Sequence, residues 1–97
     1  MGQKTYYVYI ATNIFRSVLY IGITSNIFVR MEQHRSGNAD GFTSKYHVSS
    51  LVHCESFDDP YSAISREKQL KGWTRKKKDF LITRMNPEWE DIGKILL

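Results

Sequence analysis

Two short stretches set the pattern at the start of the chain. Thr5 to Ala11 (TYYVYIA) and Val18 to Thr24 (VLYIGIT) are dense in β-branched and aromatic residues, with the polar, turn-like TNIFRS between them. That composition favours paired strands, and the short polar break predicts a β-hairpin. Side chains alternate along a strand, so Tyr7, Tyr9 and Ala11 share one face of the first, and Val18, Tyr20 and Gly22 share one face of the second. A third strand is expected at Ser50 to Phe57.

Helical signals follow the hairpin. Ser25 or Asn26 can cap a helix running to about Arg35, and Gly37 stands where a left-handed residue commonly ends one. Gly41 to Tyr46 (GFTSKY) reads as a loop. Asp59 followed by Pro60 is an N-cap with proline at the first helical position, which predicts a helix to Lys71 that stops at Gly72. Thr74 then caps a second, strongly basic helix to about Met85. Beyond Glu88 the chain is short, and Trp89, Ile92 and Leu96 are expected to fold back on the core in helical or irregular form. The class is α+β, a small antiparallel sheet with helices packed against it.

A chain of 97 residues has apolar surface for one core, so residues 1–97 are read as a single domain. Cys54 is the only cysteine, which excludes an intrachain disulfide, and no Cys/His spacing suggests zinc. No stretch approaches the roughly 18 apolar residues that cross a bilayer, and no secretory signal is visible. The expectation is a cytoplasmic protein with no membrane association. Net charge is +4 and is unevenly placed: Arg66 to Lys78 carries seven basic residues against Glu67, a local +6, leaving −2 elsewhere. A basic face of this kind fits a phosphate backbone, although a solvated helix face has the same composition.

Some polar residues stand where the helical pattern expects apolar ones. Ile27, Arg30, Met31 and His34 form one stripe of the first helix, and Ala63, Ile64, Glu67 and Leu70 one stripe of a later helix. A half-buried carboxylate such as Glu67 needs a cation or hydrogen bonds to offset its desolvation. Taken singly, Glu67 could pair with Arg66, Lys68 or Lys71, and Arg30 and His34 could be ordinary boundary residues. His47 and His53 lack partner spacing and are read as structural. A strand glycine such as Gly22 leaves a gap that a substrate backbone could approach, or that a bulge or tight packing could require.

Together these positions resemble the GIY-YIG nuclease superfamily, in particular its single-domain bacterial members. Tyr7-Val8-Tyr9 stands where that family has Gly-Ile-Tyr, and Tyr20-Ile21-Gly22 matches Tyr-Ile-Gly. Arg30, His34 and Glu67 (in REKQLKGW) follow at the family's spacing, so the resemblance covers nearly the whole chain. The first tripeptide departs from the pattern by lacking its glycine. Asn86 is a candidate for the family's late asparagine. The fold implied is a three-stranded antiparallel sheet flanked by helices.

The activity implied is metal-dependent hydrolysis of phosphodiester bonds in nucleic acid, DNA rather than RNA, in a repair or processing setting. By that resemblance Tyr9, Tyr20, Arg30, His34 and Glu67 are the catalytic set. Glu67 would hold a single Mg²⁺ or Mn²⁺, whose remaining ligands are waters. Arg30 would pair with the scissile phosphate. Tyr9 or Tyr20 would take a proton from water, with Tyr20 favoured as the base and Tyr9 as the residue that orients the water, although a phenol with an unperturbed pKa of about 10 is only roughly 0.1% ionised at pH 7. Gly22, Lys45, Tyr46, Lys71, Arg75, Lys76, Lys77 and Lys78 would contact the nucleic acid, with a protein partner supplying specificity. Two other readings remain: a catalytically silent nucleic-acid-binding module of the same fold, and an interaction protein using Tyr61, Trp73 and Trp89.

Overall fold

A computed structural model describes residues 4–37 and 41–96, with side chains in the last helix as far as Lys94. The element order is β1 (Tyr6–Thr12), β2 (Leu19–Thr24), α1 (Ile27–Ser36), α2 (Gly41–Lys45), β3 (Ser50–Phe57), α3 (Pro60–Lys71), α4 (Arg75–Met85) and α5 (Ile92–Leu96). The strands form one sheet in the order β2-β1-β3, and both pairings are antiparallel. The register shifts between Ile10 and Ala11, which face His53 and Leu51, so Val52 forms a bulge in β3.

Placing β1 in the centre explains its composition. A central strand covered on both faces has no solvent-facing side, and Val8, Tyr9, Ile10 and Ala11 are all fully buried. Val8 and Ile10 join Ile21, Val52, Ala63, Leu70 and Ile82 in the cluster under α3 and α4. Tyr9 and Ala11 join Ile27, Met31, Val48 and Leu51 in the cluster under α1. Burying a side chain such as Leu70 contributes about 2 kcal/mol, so each cluster is a substantial part of a small domain's stability.

The expected helix boundaries hold. The Asn26 side chain accepts from the Val29 amide to start α1, and Gly37 ends it in the left-handed region at φ 78°. Asp59 accepts from the Ser62 amide and Pro60 opens α3. Thr74 caps α4 through the Lys77 amide.

Two expectations need correction. Gly41 to Tyr46 is not a loop: Gly41–Lys45 forms the short helix α2, which buries Thr43. Ile64, placed on the inward stripe of α3, is 40% exposed, so the core-facing strip of that helix is narrower, with Ala63 and Leu70 at its centre. Asn86 is a structural tie: its amide donates to the Val52 and Glu90 carbonyls while its oxygen accepts from the Glu90 amide. In the C-terminal segment Trp89 packs on the α3/α4 cluster and Ile92 on the α1 cluster. The expectation for Leu96 lies outside the described side chains.

Candidate active site

The hairpin register brings the two motif tyrosines together. Ala11 faces Tyr20 and Tyr9 faces Gly22, so both rings rise from the same face of the sheet with centroids 6.1 Å apart. Helix α1 lies over that face and turns its Arg30–His34 stripe inward, with Ile27, Met31 and His34 buried and Arg30 half-buried.

Arg30 ties the group together. Its Nε donates to the Tyr9 hydroxyl at 3.0 Å, its Nη2 to the Tyr20 hydroxyl at 3.2 Å and its Nη1 to Gln33 Oε1 at 3.2 Å. Each guanidinium nitrogen therefore has a protein partner that fixes the plane of the fork. Burial alone would lower the Arg30 pKa, but hydrogen bonds to and charge at Tyr9, then Tyr20, raise it above its ordinary value, so the group stays cationic. The Tyr9 hydroxyl also lies 2.9 Å from His34 Nε2. Arginine has no acceptor, so the Tyr9 oxygen receives from Arg30 and its own proton points to His34 when Nε2 is the unprotonated nitrogen. His34 packs edge-on to both rings, at 5.8 Å from Tyr9 and 5.2 Å from Tyr20.

Gly22 has a specific steric task. A Cβ built there would stand 2.5 Å from the Tyr9 hydroxyl oxygen and 2.6 Å from Cζ. The space a side chain would take at Gly22 is filled by the Tyr9 ring, so the glycine makes room for that ring within the site.

The five expected residues do not share one layer. Tyr9 and His34, at 0% and 3% exposed, form a buried layer, while Tyr20 and Arg30 form a half-buried layer above it. Glu67 lies outside the hydrogen-bonded group. Its carboxylate, 16% exposed, pairs with Lys71 Nζ at 3.5 Å. Lys71 in turn lines a hollow of about 280 Å³ with Leu19, Tyr20, Ile21, Phe42 and Lys78, at the β2 edge of the sheet. Glu67 stands one helical turn before Lys71, which lines the hollow together with Tyr20.

Glu67 fits a Mg²⁺-type ion by the chemistry of its donor. It is a single, largely buried carboxylate whose ion pair is with a half-exposed, flexible lysine, and Mg²⁺ takes few protein ligands and keeps several waters. Among the described residues no group of three or more His, Cys, Asp or Glu could hold a metal.

The basic residues divide. Lys71 and Lys78 line the hollow. Lys76 and Lys77 are exposed, with the Lys77 ammonium 4.3 Å from the Trp73 ring centroid. Arg75, expected at the nucleic acid, is held within the fold: it pairs with Asp79 at 2.7 Å and donates to the Ser17 and Arg16 carbonyls of the hairpin turn. Trp73 and Trp89 pack against the core beneath the cations of Arg66, Lys77, Arg16 and Arg75, which leaves Tyr61 as the exposed member of the proposed aromatic interaction surface. Phe42 and Gln33 were missed. Phe42 and Tyr46 have the i, i+4 spacing of one helix turn, a signal hidden by reading their segment as a loop; Gln33 lies three residues after Arg30.

Comparison with known proteins places the chain in a family. The profile of the GIY-YIG catalytic domain matches residues 5–79. An UPF0213 protein of Haloquadratum walsbyi is 38% identical over 76 residues, covering 78% of this chain and 84% of its own length. An UPF0213 protein of Bacillus pumilus is 33% identical over 90 residues, covering 93% and 91%. The solution NMR structure of an UPF0213 protein of Bacillus halodurans superposes with a TM-score of 0.58 at 27% identity, over 94% of this chain and 96% of the other. The chain belongs to the GIY-YIG family, whose domains are nuclease domains acting on nucleic acid.

Proposed function

We propose that the chain is a metal-dependent endonuclease that hydrolyses phosphodiester bonds in DNA. The observation that carries this reading is the double donation of Arg30 to the Tyr9 and Tyr20 hydroxyls beside a solvent-open hollow lined by two lysines. In this reading the hydroxyl proton of half-buried Tyr20 first passes to solvent, and the phenolate oxygen so formed beside Arg30 takes the proton of the attacking water. Tyr9 and His34 are buried and act as positioning residues, holding Arg30 in its plane. Arg30 and Lys71 face the charge that develops on the phosphate. The new oxygen–phosphorus bond forms as the bond to the departing oxygen breaks, and that oxygen is protonated from solvent. The ion at Glu67 would supply a Lewis-acid charge at the phosphate oxygens.

The test is cleavage of supercoiled plasmid and labelled oligonucleotides with Mg²⁺ or Mn²⁺, alongside Glu67→Ala and Tyr20→Phe. Both variants should lose cleavage, with DNA binding retained. Unchanged cleavage by Glu67→Ala would remove that residue from metal binding. Binding without cleavage by the unmodified protein would leave the silent-module reading.

A further inference from the structure

We propose that Phe42, Tyr46 and the tip of the β1–β2 hairpin form a subsite for an unpaired nucleobase flanking the scissile phosphate. This deepens the nuclease reading and rests on it for the position of the phosphate. The rings of Tyr20 and Phe42 are 6.3 Å apart and those of Phe42 and Tyr46 are 4.9 Å apart, so a chain of aromatic faces leads outward from the hollow that Tyr20 lines. Phe42 is 44% exposed and Tyr46 37%, and neither belongs to the two apolar clusters of the fold. Each ring therefore keeps part of its surface open to solvent beyond the contacts it makes.

A second observation continues the surface. Tyr46 also lines a cleft of about 350 Å³ with Ile14, Phe15, Lys45 and His47, within the range of small-molecule sites, which starts at roughly 300 Å³. Ile14 and Phe15 at the hairpin tip are 78% and 79% exposed. Apolar walls with one ammonium 5.4 Å from the Tyr46 ring suit a planar heterocycle whose backbone carries charge. The hollow that Tyr20 and Phe42 share is lined also by Lys71 and Lys78. A strand laid across β2 thus meets lysines under its phosphates and aromatic rings under its bases. Continuity with the candidate active site and positive charge favour this occupant over a protein segment. Bases within a duplex have both faces covered, so only a base in a single strand, or one extruded from a helix, can stack here.

The test is metal-free binding by fluorescence anisotropy, which reads the subsite without cleavage. The probes are a mixed-sequence single strand, the same strand with abasic sites, a fully paired duplex, and a duplex bearing an unpaired base. The intact strand should bind roughly tenfold more tightly than the abasic one, the bulged duplex should exceed the paired one, and salt slopes within each pair should match because the phosphates are unchanged. Phe42→Ala combined with Tyr46→Ala, its fold checked by circular dichroism, should lose the base preference at an unaltered salt slope. Lys76, Lys77 and Lys78 changed together to Ala should keep the base preference while the single-strand slope falls by about 0.7 per lost phosphate contact. Equal binding of intact and abasic strands by the unmodified protein overturns the subsite, whatever the variants do. Base preference without cleavage would instead overturn the nuclease reading, and cleavage without base preference would overturn the subsite alone.

Discussion

Val8 and Ile10 of β1 point to α3 and α4, while Tyr9, lying between them in sequence, points to α1. The first face is apolar at its centre, where Val8, Ile10, Ile21, Val52, Ala63, Leu70 and Ile82 pack together, and its polar groups, His53 and Glu55 of β3 with Arg66 of α3, are paired with one another beside that cluster. The second face is equally buried at its base but carries a hydroxyl, an imidazole and a guanidinium in contact. Burial on the apolar face contributes directly to stability. On the polar face it raises the cost of every unmet hydrogen bond, so a cluster there must be mutually satisfied. Strand alternation lets one strand serve both, keeping the reactive groups on a rigid floor.

This contrast can be broken from either side. The largest effect is expected from Arg30→Ala, which on the proposed mechanism should lower cleavage by about 10²- to 10³-fold while stability changes by only about 1–2 kcal/mol. Steady-state cleavage and urea unfolding on the same preparation check both halves; collapse of the fold would make Arg30 primarily structural. Leu70→Ala on the other face should reverse the balance. It should cost about 2–5 kcal/mol of stability and leave the cleavage rate of the folded protein unaltered. A rate loss at temperatures where the variant stays folded would show the faces to be coupled.

Gly22→Ala sharpens the comparison, because it adds one methyl group at the polar face without removing any polar atom. The Cβ cannot coexist with the Tyr9 ring at 2.5 Å, so the ring must shift, at a cost of about 1–3 kcal/mol, and cleavage should fall with it. A crystal structure with Tyr9 unmoved would contradict the steric argument. The smallest effect concerns a polar network away from the candidate active site. Burial alone would raise the Glu55 pKa, but hydrogen bonds from Arg66 and His53, then their charges, hold it below its ordinary 4.5. A depressed carboxylate stabilises the fold fully above its unfolded value, and that contribution is lost as pH falls through the folded-state value. Urea midpoints measured between about pH 5 and pH 3 should therefore fall less steeply for Glu55→Gln than for the unmodified protein.

Local signals carried much of the architecture. The caps at Asn26, Asp59 and Thr74 and the left-handed Gly37 ended or began helices where their chemistry places them. The period of two in the hairpin put Tyr9 and Tyr20 on one face, and the period of 3.6 turned Arg30 and His34 toward them. The segment Gly41–Lys45 failed as a loop because glycine, serine and threonine speak for turns in sequence, whereas burial of Thr43 and ring contacts of Phe42 favour a helix there.

What the sequence determined by itself is therefore whatever depends on neighbours a few residues apart: element type, caps, the face each side chain takes, and through motif spacing the family. Only the tertiary structure decided the rest. Alternation cannot say that Tyr9 lies buried beneath Tyr20, that the Gly22 gap holds a ring, that Arg75 is spent on the hairpin turn, or that Glu67 pairs with Lys71 outside the Arg30 cluster. Each depends on contacts between elements far apart in the chain or on the depth of a side chain within the packed molecule. Those distances are set by close packing of the whole core, which no local spacing encodes.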